Sequence, residues 1–326
     1  MKINMAHGSG GKASAELMKD IFGKYFNNDV LSRMEDAAVL QINGKIAFST
    51  DTFVVNPIFF KGGDIGKLSV CGTVNDLLMM GAEPRYLTAG FILEEGLDTN
   101  ELETIVASMA KTASEAGVYI VAGDTKVIEG IGGLYINTSG IGLIPDGRDI
   151  SSANLSEGDV IIVSGNLGEH HACILSARIG IENHIHSDCG ILEPITHALF
   201  ENEIKVKAMR DVTRGGLGTV LNEFAEASGC SIEIEEDSIP VSQEVRGFSD
   251  ILGLDPLYMA NEGKMIFVVS NEDADKALHI IKQTEMGKDA SIIAKVRQGK
   301  GVIMKTHLGG SRAVDMLYGE GLPRIC

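Results

Sequence analysis

Residues 62–81 read GGDIGKLSVCGTVNDLLMMG. From Ile65 to Met80 the pattern predicts a helix that is apolar almost all round, and such a helix belongs between layers of structure. One residue does not fit a plain core helix. Asp76 lies inside the apolar run, where a carboxylate is costly to bury unless a partner or a cation offsets its charge.

The stretches on either side alternate strand and helix signals. KIAFST (45–50) reads as a buried strand that ends in a polar turn at Asp51, and YIVAGD (119–124) reads likewise, ending at Asp124. An amphipathic helix is expected between Asp98 and Gly117. Its apolar face is Leu102, Ile105, Val106, Met109, Ala113 and Ala116, with Asp98 as N-cap, Glu101 three residues on and Gly117 just past the end. GLYINTSGIGLI (133–144) reads as a long strand. The turn-rich stretch PDGRDISSANLSEGD (145–159) then breaks the pattern, which places a domain boundary at 153/154.

The second half restarts with the strand VIIVSG (160–165). Helix patterns follow, then a loop at HIHSDC, the strand and turn VKAMRDVTRGG (206–216), and a helix to Gly229. The strand KMIFVVS (264–270), a helix near 273–283 and strands near 291–296 and 301–304 close the domain. The expected division is 1–153, 154–318 and an arm at 319–326. Two glycines and Pro323 argue against regular structure in that arm, which could reach roughly 26–29 Å when extended. Mixed α/β structure is expected throughout.

Composition limits what this fold can do. The 326 residues carry a formal charge of −17, which argues against a general nucleic-acid binder or a binder of anionic membranes. A nucleotide is still compatible, because a cation can bridge acidic side chains to phosphates. No apolar leader is visible in MKINMAHGSGGK, and no apolar run is long enough to span a membrane. The five cysteines are odd in number, scattered and never spaced C-x-x-C, so a reducing cytoplasm is expected rather than a disulfide framework or zinc ribbon. Cys71 and Cys173 sit in apolar stretches and read as core. Cys326, the last residue, has no core to enter, and PRIC is not a prenylation signal.

Several carboxylates end or border apolar runs: Asp36, Asp51, Asp124 and Asp211, with Asp76 inside one. Carboxylates converging from strand ends are how a hard cation is held against phosphates, although Asp51 and Asp124, each followed by Thr, also fit turns or caps. HGSGGKAS fails the Walker A pattern at Ala6 and Ala13, and RGGLGT fails G-x-G-x-x-G at Leu221. NHIHSDC (183–189) holds ligand-type side chains at no structural zinc spacing, so no metal site is assigned there. His170 and His171, at the start of an expected helix, read as surface or capping residues. YMANEGK (258–264) places Glu262 in a turn before a strand, either as part of a charged turn or as a general base.

Taken in order, HGSGGK, STDTFVV, GGDIGKLSVCGTVNDL, GDTKV, MRDVTRGG, ANEGK and the final LPRIC resemble the HypE family of hydrogenase maturation factors, within the aminoimidazole ribonucleotide synthetase superfamily. The resemblance runs over essentially the whole chain. It implies a two-domain α+β architecture with a mobile C-terminal tail, a homodimer formed through the N-terminal domains, and ATP with Mg²⁺ in a cleft between domains. It implies that a carbamoyltransferase, HypF, loads the thiol of Cys326. The carbamoyl group is then dehydrated to a thiocyanate at the cost of ATP, and its cyano group passes to iron on a HypC–HypD complex.

On the matching positions, Cys326, Glu262 and Lys126 would be catalytic. Asp36, Asp51, Asn75, Asp76, Gly123, Asp124, Asp211 and Arg214 would bind the nucleotide, with Asp36, Asp76 and Asp211 on the metal. Two other readings stay open at the level of sequence: a related amide-activating enzyme of the same superfamily, or a non-enzymatic thiol carrier.

Overall fold

In the computed structural model, residues 1–9, 11–33 and 37–316 are described. Asp36, Cys326 and the arm at 319–326 lie outside the described residues.

The first half opens with α1 (Lys12–Leu17) and α2 (Gly23–Tyr25), followed by β1 (Lys45–Phe53) and a small hairpin, β2 (Phe59–Phe60) and β3 (Gly63–Asp64). Then come α3 (Ile65–Met79), β4 (Glu83–Glu94), α4 (Thr99–Glu115), β5 (Tyr119–Ile128) and β6 (Leu134–Ile144). The four long strands form one sheet in the order β1-β6-β4-β5, in which only β4 and β5 run parallel, joined by the α4 crossover.

The helix that opened the sequence reading is α3. Asp64 caps its start, its carboxylate accepting the N–H groups of Gly66 and Lys67 at 2.7 and 3.1 Å. Thirteen of its fifteen residues are buried, because it packs on β1 and β6 on one side and meets β8 and α6 of the second half on another. Its expected place between layers therefore holds. α4 starts on the expected cap, the Asp98 carboxylate accepting the Asn100 N–H at 2.9 Å, and its apolar stripe packs inward.

Strands β1 and β5 do not turn at Asp51 and Asp124; they continue to Phe53 and Ile128. The first sheet is covered by helices on one face only. A strand with a solvent-facing side takes a polar residue at every second position without breaking. That accounts for Asp124 on β5 and for Thr50 and Thr52 on β1, whereas Asp51 itself lies on the covered side, half-buried against α3.

The second half contains β7 (Val160–Val163), α5 (Glu169–Ile179), α6 (Glu193–Glu201), β8 (Ala208–Asp211), α7 (Gly216–Ser228), β9 (Ser231–Glu235) and α8 (Gln243–Leu252). It ends with β10 (Met265–Val269), α9 (Ala274–Ile281), β11 (Ser291–Arg297), β12 (Gly301–Lys305) and β13 (Ser311–Ala313). Its sheet has the order β13-β12-β9-β11-β7-β10-β8, antiparallel except where β12 meets β9. Its central strands β7 and β10 are buried on both faces. Val160, Ile162, Met265 and Phe267 enter one core with α5, α6 and α9, while Ile161, Val163, Ile266 and Val268 enter the other with α7. This two-sided burial explains why VIIV and MIFVV are unbroken apolar runs.

The first of these cores is continuous with the core of the first half, running from α3 and α4 into α5 and α6. Cys71 and Cys173 lie within it, as expected. His170 and His171 correct the sequence reading: both are buried, on the inner side of α5. The His170 ring hydrogen-bonds the Ser187 hydroxyl at 2.7 Å and meets Phe60 edge-on, so its partners come from distant loops that no local pattern signals.

Candidate active site

Three elements bring carboxylates together where the two halves meet. β1 is an edge strand of the first sheet and β8 an edge strand of the second, and α3 lies against both. On β1, Asp51 points to the α3 side, its Oδ1 accepting the Thr52 N–H at 2.7 Å. On α3, Asp76 accepts a 2.6 Å hydrogen bond from the Ser49 hydroxyl of β1. Gly72, one turn earlier, is what lets the strand come so close. A Cβ there would lie 2.7 Å from the Phe53 ring. Asp211 ends β8, flanked by Arg210 and followed by Arg214.

Glu262 arrives by register. Met265 of β10 pairs with Asp211, which brings the preceding turn beside the same strand end. Two further bonds fix that turn to β8's continuation: the Val212 N–H donates to the Lys264 carbonyl at 2.9 Å and the Asn261 N–H to the Val212 carbonyl at 3.0 Å.

The charges on this cluster do not balance. Burial raises the Asp51 carboxyl above its ordinary value, opposed by the Thr52 N–H and by Arg214. Burial also raises Asp76, with the Ser49 hydroxyl opposing it and Asp51 adding repulsion. Asp211 is pushed up to about 7 by burial and by the charges of Asp76 and Asp51, against the pull of Arg210. Glu262 is driven well above the carboxylate range by burial, then by Asp188, Asp211 and Asp51. Mutually repelling oxygens short of cationic partners make a donor set suited to a hard cation. Among the described residues no three of His, Cys, Asp and Glu come close enough to hold a metal ion by themselves. A hard cation such as Mg²⁺ takes one or two carboxylates and fills the rest of its shell with phosphate oxygens and water.

Two further features border the site. Gly215 and Gly216 follow Arg214 at φ +79° and +62°, turning the chain from the end of β8 into the start of α7 five residues after Asp211. A cavity of about 220 Å³ opens at the β5 edge of the first sheet. It is walled by Phe22, Phe26, Leu31 and Phe91, and reached by Ala37, Gly123 and Asp124.

The remaining expected residues lie apart from the carboxylate cluster within one chain. Asp51, Thr138, Ala89 and Gly123 form one row across the sheet, so Gly123 is three strand spacings from Asp51, about 14 Å. Asp124, the next residue along, projects to the opposite, open face. Lys126 is there too, its ammonium 2.5 Å from the Asp124 carboxylate, with both side chains mostly exposed. Asn75 is buried and its amide is turned to the second half. It donates to the Gly190 carbonyl at 3.0 Å and accepts the Leu192 N–H at 2.9 Å, so it is not aimed at the carboxylates beside it.

The residue the sequence reading missed is Asp188. Its carboxylate is 1 % exposed and joins Lys264 and Glu169 in a buried ion-pair chain, at 3.3 and 3.2 Å from the Lys264 ammonium. The only sequence signal was a polar residue type beside the apolar Ile185 and Cys189 in an otherwise irregular loop.

Residues 34–144 match the family model for the AIR synthase related protein N-terminal domain, and residues 156–307 match that for its C-terminal domain. The chain is 45 % identical to the carbamoyl dehydratase HypE of Escherichia coli over 334 residues, covering 99 % of each chain. It superposes on a crystal structure of hydrogenase maturation protein HypE in complex with ATP with a TM-score of 0.95, at 45 % identity and 99 % coverage of both chains. A HypE chain from a HypE–HypF complex gives a TM-score of 0.81 at 46 % identity, covering 92 % of this chain and 99 % of that one.

Proposed function

This chain belongs to the HypE family of AIR synthase related proteins, and on that premise we propose that it dehydrates an S-carbamoyl group on Cys326 to a thiocyanate at the expense of ATP, in the maturation of a hydrogenase. The observation that carries this reading is the convergence of Asp51, Asp76, Asp211 and Glu262 from four separate segments of both halves.

The carbamoyl oxygen is a poor leaving group. Attack of that oxygen on the γ-phosphorus of ATP, with loss of one N–H proton, gives an iminophosphate and ADP. Loss of the second N–H proton and departure of phosphate then leave S–C≡N. The sum is thiocarbamate plus ATP giving thiocyanate, ADP, phosphate and one proton. Asp76 and Asp211 would hold Mg²⁺ together with phosphate oxygens and water, with Asp51 beside them and Asp36 as a further candidate. Bound there, Mg²⁺ would spread the charge that develops on the transferring phosphoryl group. Arg214 and the N–H groups at the start of α7 would orient the phosphates.

Glu262 would take the second proton. Its raised pKa makes its carboxylate a stronger base than an exposed glutamate. The aromatic-walled cavity beside Gly123 and Asp124 has the shape and apolarity to take a flat base. A homodimer would form through the open face of the first sheet. Lys126 would then face the partner subunit, close to where a carbamoyl group needs a cation. HypF as carbamoyl donor, HypC–HypD as cyano acceptor, a cytoplasmic location and a division at 153/154 belong to the same proposal.

The test is to incubate the full chain with HypF, carbamoyl phosphate, Mg²⁺ and ATP and to weigh its C-terminal peptide. The expected product is a Cys326 adduct lighter than the carbamoyl form by one water. A carbamoyl adduct that persists unchanged in the presence of ATP sinks the proposal.

A further inference from the structure

The loop at 183–192 carries ligand-type side chains, yet His184 and His186 are exposed and the reaction above uses none of them. Its buried acid has a different set of contacts. The Glu262 N–H donates to Asp188 Oδ1 at 3.1 Å, and the Gly263 N–H donates to Oδ2 at 3.0 Å. The Gly190 N–H returns a bond to the Glu262 carbonyl at 3.2 Å. A Cβ on Gly263 would lie 1.9 Å from the Asp188 carbonyl oxygen, so the turn and the loop are in contact along their backbones. We infer that Asp188 is a positioning residue for Glu262, fixing the turn that carries it and tying that turn to the helix that carries Asp76. This inference rests on the dehydration proposed above, with Glu262 as its base.

The tie is continuous. Asn75, adjacent to Asp76 on α3, grips the Gly190 carbonyl and the Leu192 N–H. Residues 188–190 grip the Glu262 turn, and the Ser187 N–H donates to the Lys61 carbonyl of the first half at 2.8 Å. The spacing between the phosphate-side carboxylate and the base is therefore set by one short relay, Asp76–Asn75–Gly190–Glu262. Asp188 also acts by charge. Asp188, Asp211, Asp51 and the Cys71 and Cys189 thiols are the described groups that face Glu262, and negative charge among them disfavours a further anion there. Lys264, shared with Glu169, gives the buried Asp188 side chain a cationic partner.

The experiment follows single-turnover conversion of the HypF-carbamoylated full chain by Mg·ATP across a pH series. Asp188→Asn and Glu169→Gln are run beside wild type and Glu262→Gln. Asp188→Asn is expected to bind ATP as wild type does, to react about 10²-fold more slowly, as for a misplaced reacting group, and to move the rising limb of the pH profile to lower pH. Glu169→Gln should move both quantities the same way by less. Glu262→Gln should bind ATP and not react.

Asp188→Asn reacting at the wild-type rate with an unmoved midpoint overturns the inference while leaving the proposed function intact. If Asp188→Asn does not fold, an unmoved rate and midpoint in Glu169→Gln overturn it equally. An active Glu262→Gln removes the base that Asp188 is said to position. A wild-type chain that makes no cyano adduct overturns the function and this inference together.

Discussion

Asp76 shows how one residue carries information that its neighbours do not. In a helix this apolar, an acid whose side chain has, among the described residues, the Ser49 hydroxyl as its hydrogen-bond partner lowers stability. Replacing it by Asn keeps the shape and removes the charge. We expect Asp76→Asn to lower ATP-dependent turnover by about 10²-fold or more, the range for losing a preorganised electrostatic contact. Its thermal stability should be unchanged or higher, because Asp51 and Asp211 lose a repelling neighbour. ADP release and a thermal melt measure the two effects, and a stable variant with wild-type turnover removes Asp76 from the site.

The buried histidines of α5 make a prediction of another kind. Burial lowers both His170 and His171 to about 4. In the unfolded chain each returns to about 6.5, so between these values the unfolded state binds more protons and stability falls as pH falls. From pH 7 to pH 5 each histidine should cost about 2 kcal/mol. Among the described residues His171 Nε2 has no hydrogen-bond partner, so His171→Leu removes a titrating group without breaking a bond at that atom. Urea titrations at both pH values should show His171→Leu losing about 2 kcal/mol less than wild type across the interval. Parallel losses in the two proteins contradict the buried, neutral state.

At the scale of elements, legibility followed burial. α3, α4, β7 and β10 are buried on most sides or along a clean stripe, and their patterns were readable from residue types alone. The limits of β1 and β5 were misread because the open face takes Thr50, Thr52, Asp124 and Lys126, residues that elsewhere signal turns, and because Asp51, on the covered side, belongs to the carboxylate cluster rather than to a turn. β4 was not anticipated at all: Pro84 and Gly90 interrupt a strand whose pairing on both sides, with β5 and β6, is entirely non-local. The same limit applied at the site. Asp51, Asp76, Asp211 and Glu262 could be proposed from sequence as single residues. Asp188 could not, because its role depends on a loop meeting a turn 74 residues away. Packing between elements is also where the site is fragile. Gly72→Ala would press a methyl group into the Phe53 ring, an overpacking that costs about 1–3 kcal/mol. Since Phe53 ends the strand that carries Asp51, turnover should fall together with the melting temperature. A melting temperature that matches wild type would mean that β1 can shift freely against α3.

For the whole molecule, the uncovered face of the first sheet is the feature one chain leaves unexplained. Ile46, Phe48, Ile92 and Tyr119 stand exposed on it, Phe48 by 68 %, on a protein whose net charge of −17 otherwise favours separation. A second copy related by a two-fold axis would present the same apolar row to itself, satisfying both faces at once. Asp124 and Lys126 share this face, so the dimer would complete the site as well as cover the sheet. Phe48→Arg should therefore sediment as a monomer and lose turnover, while Lys126→Ala should lose turnover and still sediment as a dimer. Sedimentation velocity at micromolar concentration reads the first quantity and the mass of the C-terminal peptide the second. Full activity in a monomeric Phe48→Arg would return Lys126 to the surface and leave the carboxylates of a single chain to do the chemistry.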